Sequence, residues 1–217
     1  MQLFISFCGE GPTDERVFRN LTERIINKLF LEKGISAEIS WMSIRKKGSS
    51  EESLLSAAKE SHQQSLLICH RDADCNNREQ CLESHFNSGL EIIENDDSGQ
   101  FCQSIVLAIP IQETEAWMLC DKELLKEIME TSLNNETLEL TYQISRIEDI
   151  SNPKARIEKA LNIHKHNLPA RKRRLTVNLS DLYEPFSQEI SFDNLENLNS
   201  FNKFRNDLGE VIENIIS

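Results

Sequence analysis

Four strand-like segments, each followed by a stretch with helical spacing, most constrain the fold of this chain. They cover residues 3–8, 35–44, 66–69 and 104–109. Between them, apolar residues recur every three or four positions, which is typical of amphipathic helices. Strands that alternate with helices form βαβ units whose strands lie parallel in one sheet. The first 130 residues therefore predict an α/β, Rossmann-like fold with a mainly parallel sheet of about four strands.

The pattern changes after residue 130. Residues 134–150 are polar and ambiguous, whereas Asn152-Pro153 opens a helix to about residue 163, because proline favours a first helical turn. A last helix carries one apolar stripe, formed by Phe201, Phe204, Leu208, Val211 and Ile215. We therefore predict two parts: an α/β domain over 1–130, and a mostly helical C-terminal extension over 131–217 that packs on it.

Capping signals place the helices of the first part. Thr13 is the predicted N-cap of the first helix, and Gly34 its end. A Ser-x-x-Glu capping box at Ser49 opens the second. One continuous helix is expected over 78–94, and another starts within 113–117 and runs to about residue 129.

The sequence predicts a protein of the cytoplasm that does not enter a membrane. Its first apolar run stops at Glu10 and has no basic residues before it, so it predicts a strand rather than a signal peptide. No stretch approaches the roughly 20 apolar residues that span a bilayer. The six cysteines form no C-x-x-C pair and are expected to be unpaired.

Acidic residues follow three of the four predicted strands. Glu10 follows the first, Asp72 and Asp74 follow the third, and Glu113 and Glu115 follow the fourth. The carboxyl ends of parallel strands share the edge at which α/β folds bind ligands. Singly, each acid is more often a solvated turn residue or a helix cap. Together they predict a site for Mg²⁺ or Mn²⁺, because these ions prefer oxygen ligands.

Basic residues on the same edge indicate a phosphate substrate. Arg45, Lys46 and Lys47 follow the second predicted strand, and Arg71 precedes the Asp-x-Asp pair. Cations in these positions can stabilise charge that develops on a phosphoryl oxygen. Lys46 is the candidate catalytic cation, and the other three are candidate substrate contacts.

A second basic segment lies in the C-terminal part. Residues 154–174 contain eight lysines and arginines and one acid, although the whole chain has a net charge of −12. Such a segment, with Arg171 and Arg173 as candidate contacts, would guide a polyanion backbone. A solvated surface that balances the acidic body is an equally good interpretation.

The strand ends resemble those of a known domain. An apolar strand that closes in Glu10-Gly11, followed by one that closes in Asp72-x-Asp74, resembles the Toprim domain of topoisomerases, primases and overcoming-lysogenization-defect nucleases. The chain more closely resembles a bacterial Toprim-like family without a settled activity, through EGPTDE (10–15), the Asp-x-Asp pair, ETEAW (113–117) and Asn152-Pro153-Lys154. The resemblance covers most of the chain, and the C-terminal part more loosely.

The resemblance implies a Mg²⁺ or Mn²⁺ site at Glu10, Asp72 and Asp74. In Toprim enzymes the glutamate is proposed as general acid or base and the aspartates hold the metal, which would assign proton transfer to Glu10. Glu113 would extend the metal site, and Glu115 would extend it or cap a helix. The implied activity is metal-dependent phosphoryl transfer, foremost cleavage of DNA or RNA, with a place in phage defence.

Other functions stay open at this point. The acids could be a fold relic or a structural metal site in a non-catalytic subunit or sensor that partners an ATPase. Hydrolysis of a nucleotide or another small phosphoester is a third hypothesis. A zinc site is less favoured, because its candidate ligands match no familiar spacing. These ligands are His70, Cys75, Cys81 and His85.

Overall fold

The computed structural model describes residues 1–217 except for the side chain of Leu175. In the described chain four parallel strands form one sheet in the order β2-β1-β3-β4. The strands are β1 (Gln2–Gly9), β2 (Glu38–Arg45), β3 (Leu66–His70) and β4 (Ile105–Ala108). The predicted α/β, Rossmann-like fold is confirmed.

Helices fill the connections of the sheet and most of the C-terminal part. They are α1 (Pro12–Glu32), α2 (Ser50–Glu60), α3 (Arg78–His85), α4 (Asn87–Glu94), α5 (Glu115–Met118), α6 (Lys122–Ile128), α7 (Pro153–Asn167), α8 (Leu179–Glu189), α9 (Phe192–Leu195) and α10 (Asn199–Ile216). Short 3-10 helices cover Ile144–Asp149 and Arg173–Leu175. Among the described helices, none is both long enough and apolar enough to cross a membrane.

The two faces of the sheet have separate cores. On one face, Leu3 and Ile5 of β1 belong to a cluster with buried residues of α1, α8 and α10, among them Phe18 and Phe204. On the other face, Leu67 of β3 packs with residues of α2 and α4. The first cluster continues without a break into the C-terminal helices, so these helices pack on the sheet.

The strand order creates a switch point in the middle of the sheet. From β1 the chain crosses outward to β2, and it then returns to place β3 on the opposite side of β1. In open α/β sheets, ligands bind at the carboxyl ends of the strands where the order reverses. We call this edge the carboxyl edge; Glu10 follows β1 there, and Arg71 and Asp72 follow β3.

The first helix starts earlier than predicted. Its N-cap is Gly11, not Thr13, and Pro12 is the first helical residue. Proline suits this position because its fixed φ is helical and its missing N–H would have had no partner. The carboxylate of Asp14 accepts a 2.8 Å hydrogen bond from the Gly11 N–H. Gly34 follows the helix with a φ of +66°, and the prediction of this end is confirmed.

Two predicted helices are interrupted. The segment 78–94 breaks at Phe86, which has a φ of −127° and a buried ring. Gly89 lies so close to α2 that a Cβ there would be 2.9 Å from Cδ2 of Leu54, which explains a glycine inside α4. The segment after β4 divides into α5 and α6, because Asp121 caps α6 through a 2.9 Å bond from the Leu124 N–H.

Candidate metal centre at the carboxyl edge

Asp72 is held in place by the loop that follows β4. Its Oδ1 accepts a hydrogen bond from the backbone N–H of Thr114 and another from the Thr114 hydroxyl, both 2.9 Å long. The side chain is 19 % exposed. A carboxylate fixed at one oxygen and open to solvent on its other side is suited to a cation or a phosphate-bound water.

His70 lies beneath Asp72 and is fully buried. The centroid of its ring lies 4.4 Å from the centroid of the Phe18 ring. Nε2 lies 3.3 Å from Asp72 Oδ1, and Nδ1 lies 3.7 Å from Asp14 Oδ2. Nδ1 has no hydrogen-bond partner among the described residues. The imidazole therefore stands between the carboxylates of Asp14 and Asp72 and links α1 to the end of β3.

Asp14 is a site residue that the sequence analysis missed, because an acid in a first helical turn is expected for its effect on the helix dipole. Burial raises the pKa of Asp14, His70 opposes this, and the charges of Asp72 and Glu10 raise it further. One signal was available in the sequence: Asp14 stands four residues after Glu10, across the turn that joins β1 to α1.

Glu10 is paired with two predicted cations. Its Oε1 lies 2.9 Å from Nζ of Lys46 and 3.6 Å from Nη1 of Arg71. The structure thus brings the ends of β1, β2 and β3 together around one exposed carboxylate. A cleft of about 680 Å³ opens beside it. Its lining includes Glu10, Glu15, Ser43, Arg45 and Lys46.

The two basic neighbours of Lys46 differ in their surroundings. Arg45 is exposed at the end of β2 and lines the same cleft. Lys47 points to α2, where its Nζ lies 2.6 Å from Oε1 of Glu60. Arg45 is therefore next to Glu10, whereas the charge of Lys47 is already matched elsewhere.

Asp74 lies in a constrained loop beyond Asp72. It has a φ of +53°, and Gln112 after β4 has a φ of +62°. The Asp74 N–H donates to the Gln112 carbonyl, and the Gln112 N–H donates to the Cys75 carbonyl, both at 2.9 Å. Left-handed backbone at residues other than glycine costs roughly 1–3 kcal/mol and is frequent at functional sites. The carboxylate of Asp74 itself is exposed.

The two acids of the ETEAW run contact the start of α7. Oε2 of Glu113 accepts a 3.1 Å hydrogen bond from the Lys154 N–H. Glu115 is buried, accepts a hydrogen bond from the Tyr183 hydroxyl and lies 3.9 Å from Lys154 Nζ. Burial raises the pKa of Glu115, the Tyr183 bond opposes this, and Asp72 raises it further. The two motifs at 113–117 and 152–154 therefore meet in space.

Arg171 and Arg173 follow the opposite end of α7. Arg173 donates to the carbonyl oxygens of Leu168 and His166 at 2.9 and 3.2 Å, so it caps the end of the helix. A helix of 15 residues is about 22 Å long, at about 1.5 Å per residue. The structure does not place these two arginines beside the acids of the carboxyl edge.

The donor set at this edge suits a hard divalent cation, but its side chains are not gathered around one point. Among the described residues, no three His, Cys, Asp or Glu side chains are close enough to hold a metal as they lie. Glu10 and Asp74 are exposed. A cation would also relieve the mutual repulsion of Asp14 and Asp72, which raises the pKa of Asp14.

The alternative zinc ligands are engaged separately. Nδ1 of His85 lies 3.2 Å from the Ser50 hydroxyl, and the thiol of Cys75 lies 3.3 Å from the Asn77 carbonyl oxygen. Cys81 is buried, and all six cysteines are free. These contacts give the zinc hypothesis no support.

No protein-family model, curated protein or solved structure matches the chain. The Toprim resemblance stays a prediction that rests on the motifs of the sequence. The parallel α/β fold is shown by the structure.

Proposed function

We propose that this chain is a divalent-metal-dependent phosphoryl-transfer enzyme, and that its substrate is a phosphodiester of DNA or RNA. The observation that carries the proposal is the arrangement at the switch point. The carboxylate of Glu10 lies there beside the cations of Lys46 and Arg71, and the carboxylates of Asp14 and Asp72 contact the two ring nitrogens of His70. Acids that can hold a metal, next to cations that can bind phosphate, are the parts that phosphoryl transfer requires.

The metal would be Mg²⁺ or Mn²⁺, held by Asp72, Asp74 and Glu10. When bound, it would polarise the phosphoryl group and favour ionisation of a water. Glu113 was predicted as a fourth ligand, and its Oε2 accepts the Lys154 N–H. Asp14 is a further candidate, since it is close enough to Asp72 and Glu10 to be affected by both charges.

The protein groups would bind and orient the phosphodiester. Lys46 and Arg71, which now pair with Glu10, would bind the non-bridging oxygens and stabilise the charge of the transition state. Once Glu10 is released from these cations, its exposed carboxylate can take or give a proton at the attacking or leaving oxygen. Thr114 and His70 would keep Asp72 in one orientation.

The test is metal-titrated cleavage of a panel of substrates: single- and double-stranded DNA, RNA and a small phosphodiester. Asp72→Asn and Glu10→Gln should each lower the rate by about 10²–10⁴-fold, the contribution of a positioned acid or base. Asp97→Asn, in the exposed loop before β4, is the control and should leave the rate unchanged. Circular dichroism should show the same fold for all variants. The proposal fails if the wild type neither binds Mg²⁺ or Mn²⁺ nor cleaves any substrate.

A second candidate is a non-catalytic or partner-dependent subunit. It is favoured by one observation, that the acids in the described part of the chain do not already converge on a metal position. A partner such as an ATPase could then complete the site by moving Glu10 or Asp74. Cleavage that appears only after the partner is added, and that Asp72→Asn abolishes, would support this alternative.

A further inference from the structure

We propose that a nucleic-acid strand crosses the carboxyl edge between two cationic flanks, and that the C-terminal part supplies one of them through Lys154. The first flank is Lys46 and Arg71, next to Glu10. This inference rests on the proposed function. It adds the path that the nucleic-acid strand takes across the sheet and the number of phosphates that contact the protein. It also gives the helical extension a part in the site.

The backbone of Lys154 is held by hydrogen bonds, while its side chain is half exposed. Its N–H donates to Glu113 Oε2 at 3.1 Å, and Asn152 caps the same turn through a 2.8 Å bond from the Ala155 N–H. The side chain is 51 % exposed, and Nζ lies 3.9 Å from Glu115, at the limit of an ion pair. A phosphate could therefore compete with Glu115 for the ammonium.

Lys154 lies on the β4 side of Asp72. Its partner Glu115 follows β4, is only 6 % exposed and is held by the hydroxyl of Tyr183 from α8. The charge of Asp72 reaches Glu115 and contributes to the raised pKa of that carboxyl. Lys46 follows β2 at the other side of the sheet, so Asp72 stands between the two flanks.

The distance between the flanks requires more than one phosphate. Adjacent strands are about 4.8 Å apart, so the ends of β2 and β4 are separated by about 14 Å across three spacings. One strand of a duplex advances roughly 3.4 Å for each phosphate. A chain of several phosphates can therefore contact both Lys46 and Lys154.

Local cations matter here because the chain as a whole repels polyanions. Its net charge is −12, so long-range attraction cannot supply the binding energy. Each lysine that contacts a phosphate adds about one released counterion to the salt dependence of binding. Loss of Lys154 should therefore change the salt dependence as well as the affinity.

The experiment measures binding of fluorescently labelled single-stranded DNA and RNA by anisotropy, with Ca²⁺ in place of Mg²⁺ and at several salt concentrations. Lys154→Ala should weaken binding severalfold and lower the salt slope by about 0.7–0.9. Lys33→Ala is the control, since the Nζ of this exposed lysine lies 3.1 Å from Glu213 at the end of α1 that is far from Glu10, and it should bind as the wild type does. Lys154→Arg should restore binding.

Equal affinities and slopes for Lys154→Ala and Lys33→Ala would overturn the inference, as would a wild type that binds no oligonucleotide. If the wild type still cleaves DNA or RNA although Lys154→Ala binds as well as the control does, the proposed function stands and only the crossing strand is wrong. If binding depends on Lys154 but no substrate is cleaved, the inference stands and the proposed function fails. Thermal melts of each variant verify that it is folded.

Discussion

Thr114 donates two hydrogen bonds to one oxygen of Asp72. Its N–H and its hydroxyl each lie 2.9 Å from Oδ1. Thr114 belongs to the loop after β4 and Asp72 to the loop after β3, so the bonds connect two neighbouring strand ends. Within the described chain, Oδ2 of Asp72 has no hydrogen-bond partner. One oxygen is thus used for orientation, and the other is left for a ligand.

Thr114→Val should weaken metal binding while the fold persists. Valine has the shape of threonine and keeps the N–H bond, but it removes the hydroxyl from Asp72 Oδ1. Loss of a group that orients a metal ligand typically costs 10–100-fold in metal affinity or activity, and we expect a decrease of about that size. Isothermal titration with Mn²⁺, together with metal-titrated cleavage, measures both quantities.

Two further variants separate orientation from stability. Thr114→Ser keeps the hydroxyl and should recover most of the metal affinity. Thr137→Val makes the same chemical change at an exposed position and should have no effect. A Thr114→Val protein that binds Mn²⁺ as tightly as the wild type would show that the two hydrogen bonds do not position a ligand.

Asp14→Asn should raise stability in metal-free buffer at pH 7. Burial raises the pKa of Asp14, so its favourable contribution is complete below the unfolded pKa of about 3.9 and is lost as the pH rises through the folded value. Asparagine keeps an acceptor for the Gly11 N–H without the charge. We expect a rise of a few degrees in Tm, since about 1 kcal/mol moves Tm by roughly 2–4 °C at this chain length.

The gain from Asp14→Asn should shrink at a pH below about 4, where the wild-type carboxyl also becomes neutral. The same variant should lose cleavage activity, because it removes a proposed metal ligand. Residues that bind ligands are often unfavourable for stability, so the two effects are expected together. Melting curves at both pH values in EDTA provide the comparison. An unchanged or lower Tm at pH 7 would mean that the structure already compensates the charge of Asp14.

Tyr183→Phe should destabilise the chain more than Tyr142→Phe. The Tyr183 hydroxyl donates to the buried carboxylate of Glu115, whereas the Tyr142 hydroxyl donates to the Leu119 carbonyl. An unsatisfied buried group costs about 1–3 kcal/mol, and more when it is charged. Urea unfolding of both variants measures the difference. Equal losses would indicate that Glu115 finds another donor.

The sheet was predictable because its signals are local. The apolar segments that precede Glu10 and Asp72 are strands β1 and β3, and the alternation in 35–44 places Ile39 and Trp41 against the core on one face of the sheet. The capping box at Ser49 forms as predicted, with its hydroxyl accepting the Glu52 N–H. Short-range patterns of this kind report directly on periodicity and capping.

The interruptions and the arrangement of the site depend on partners far away in the sequence. The close approach of Gly89 to Leu54 is a contact between helices that no single segment reveals. In the same way, Glu113 follows β4 at a position where a metal ligand was predicted. Its carboxylate instead accepts a hydrogen bond from the N–H of Lys154, which is 41 residues away in the sequence. The sequence predicted that Glu10 and Lys46 lie at the same edge of the sheet. It could not predict their ion pair, because side-chain partners depend on the folded structure.

Acid should destabilise the chain partly through His164. This side chain is buried in α7, and burial lowers its pKa while Glu130 opposes the shift. Its contribution is complete above the unfolded pKa of about 6.5 and is lost as the pH falls through the folded value, by at most about 1.4 kcal/mol per pH unit. His164→Gln should therefore lose less unfolding free energy between pH 7 and 5 than the wild type, as measured with urea. His166→Gln, exposed on the same helix, should follow the wild type; identical slopes for all three proteins would contradict the assignment to His164.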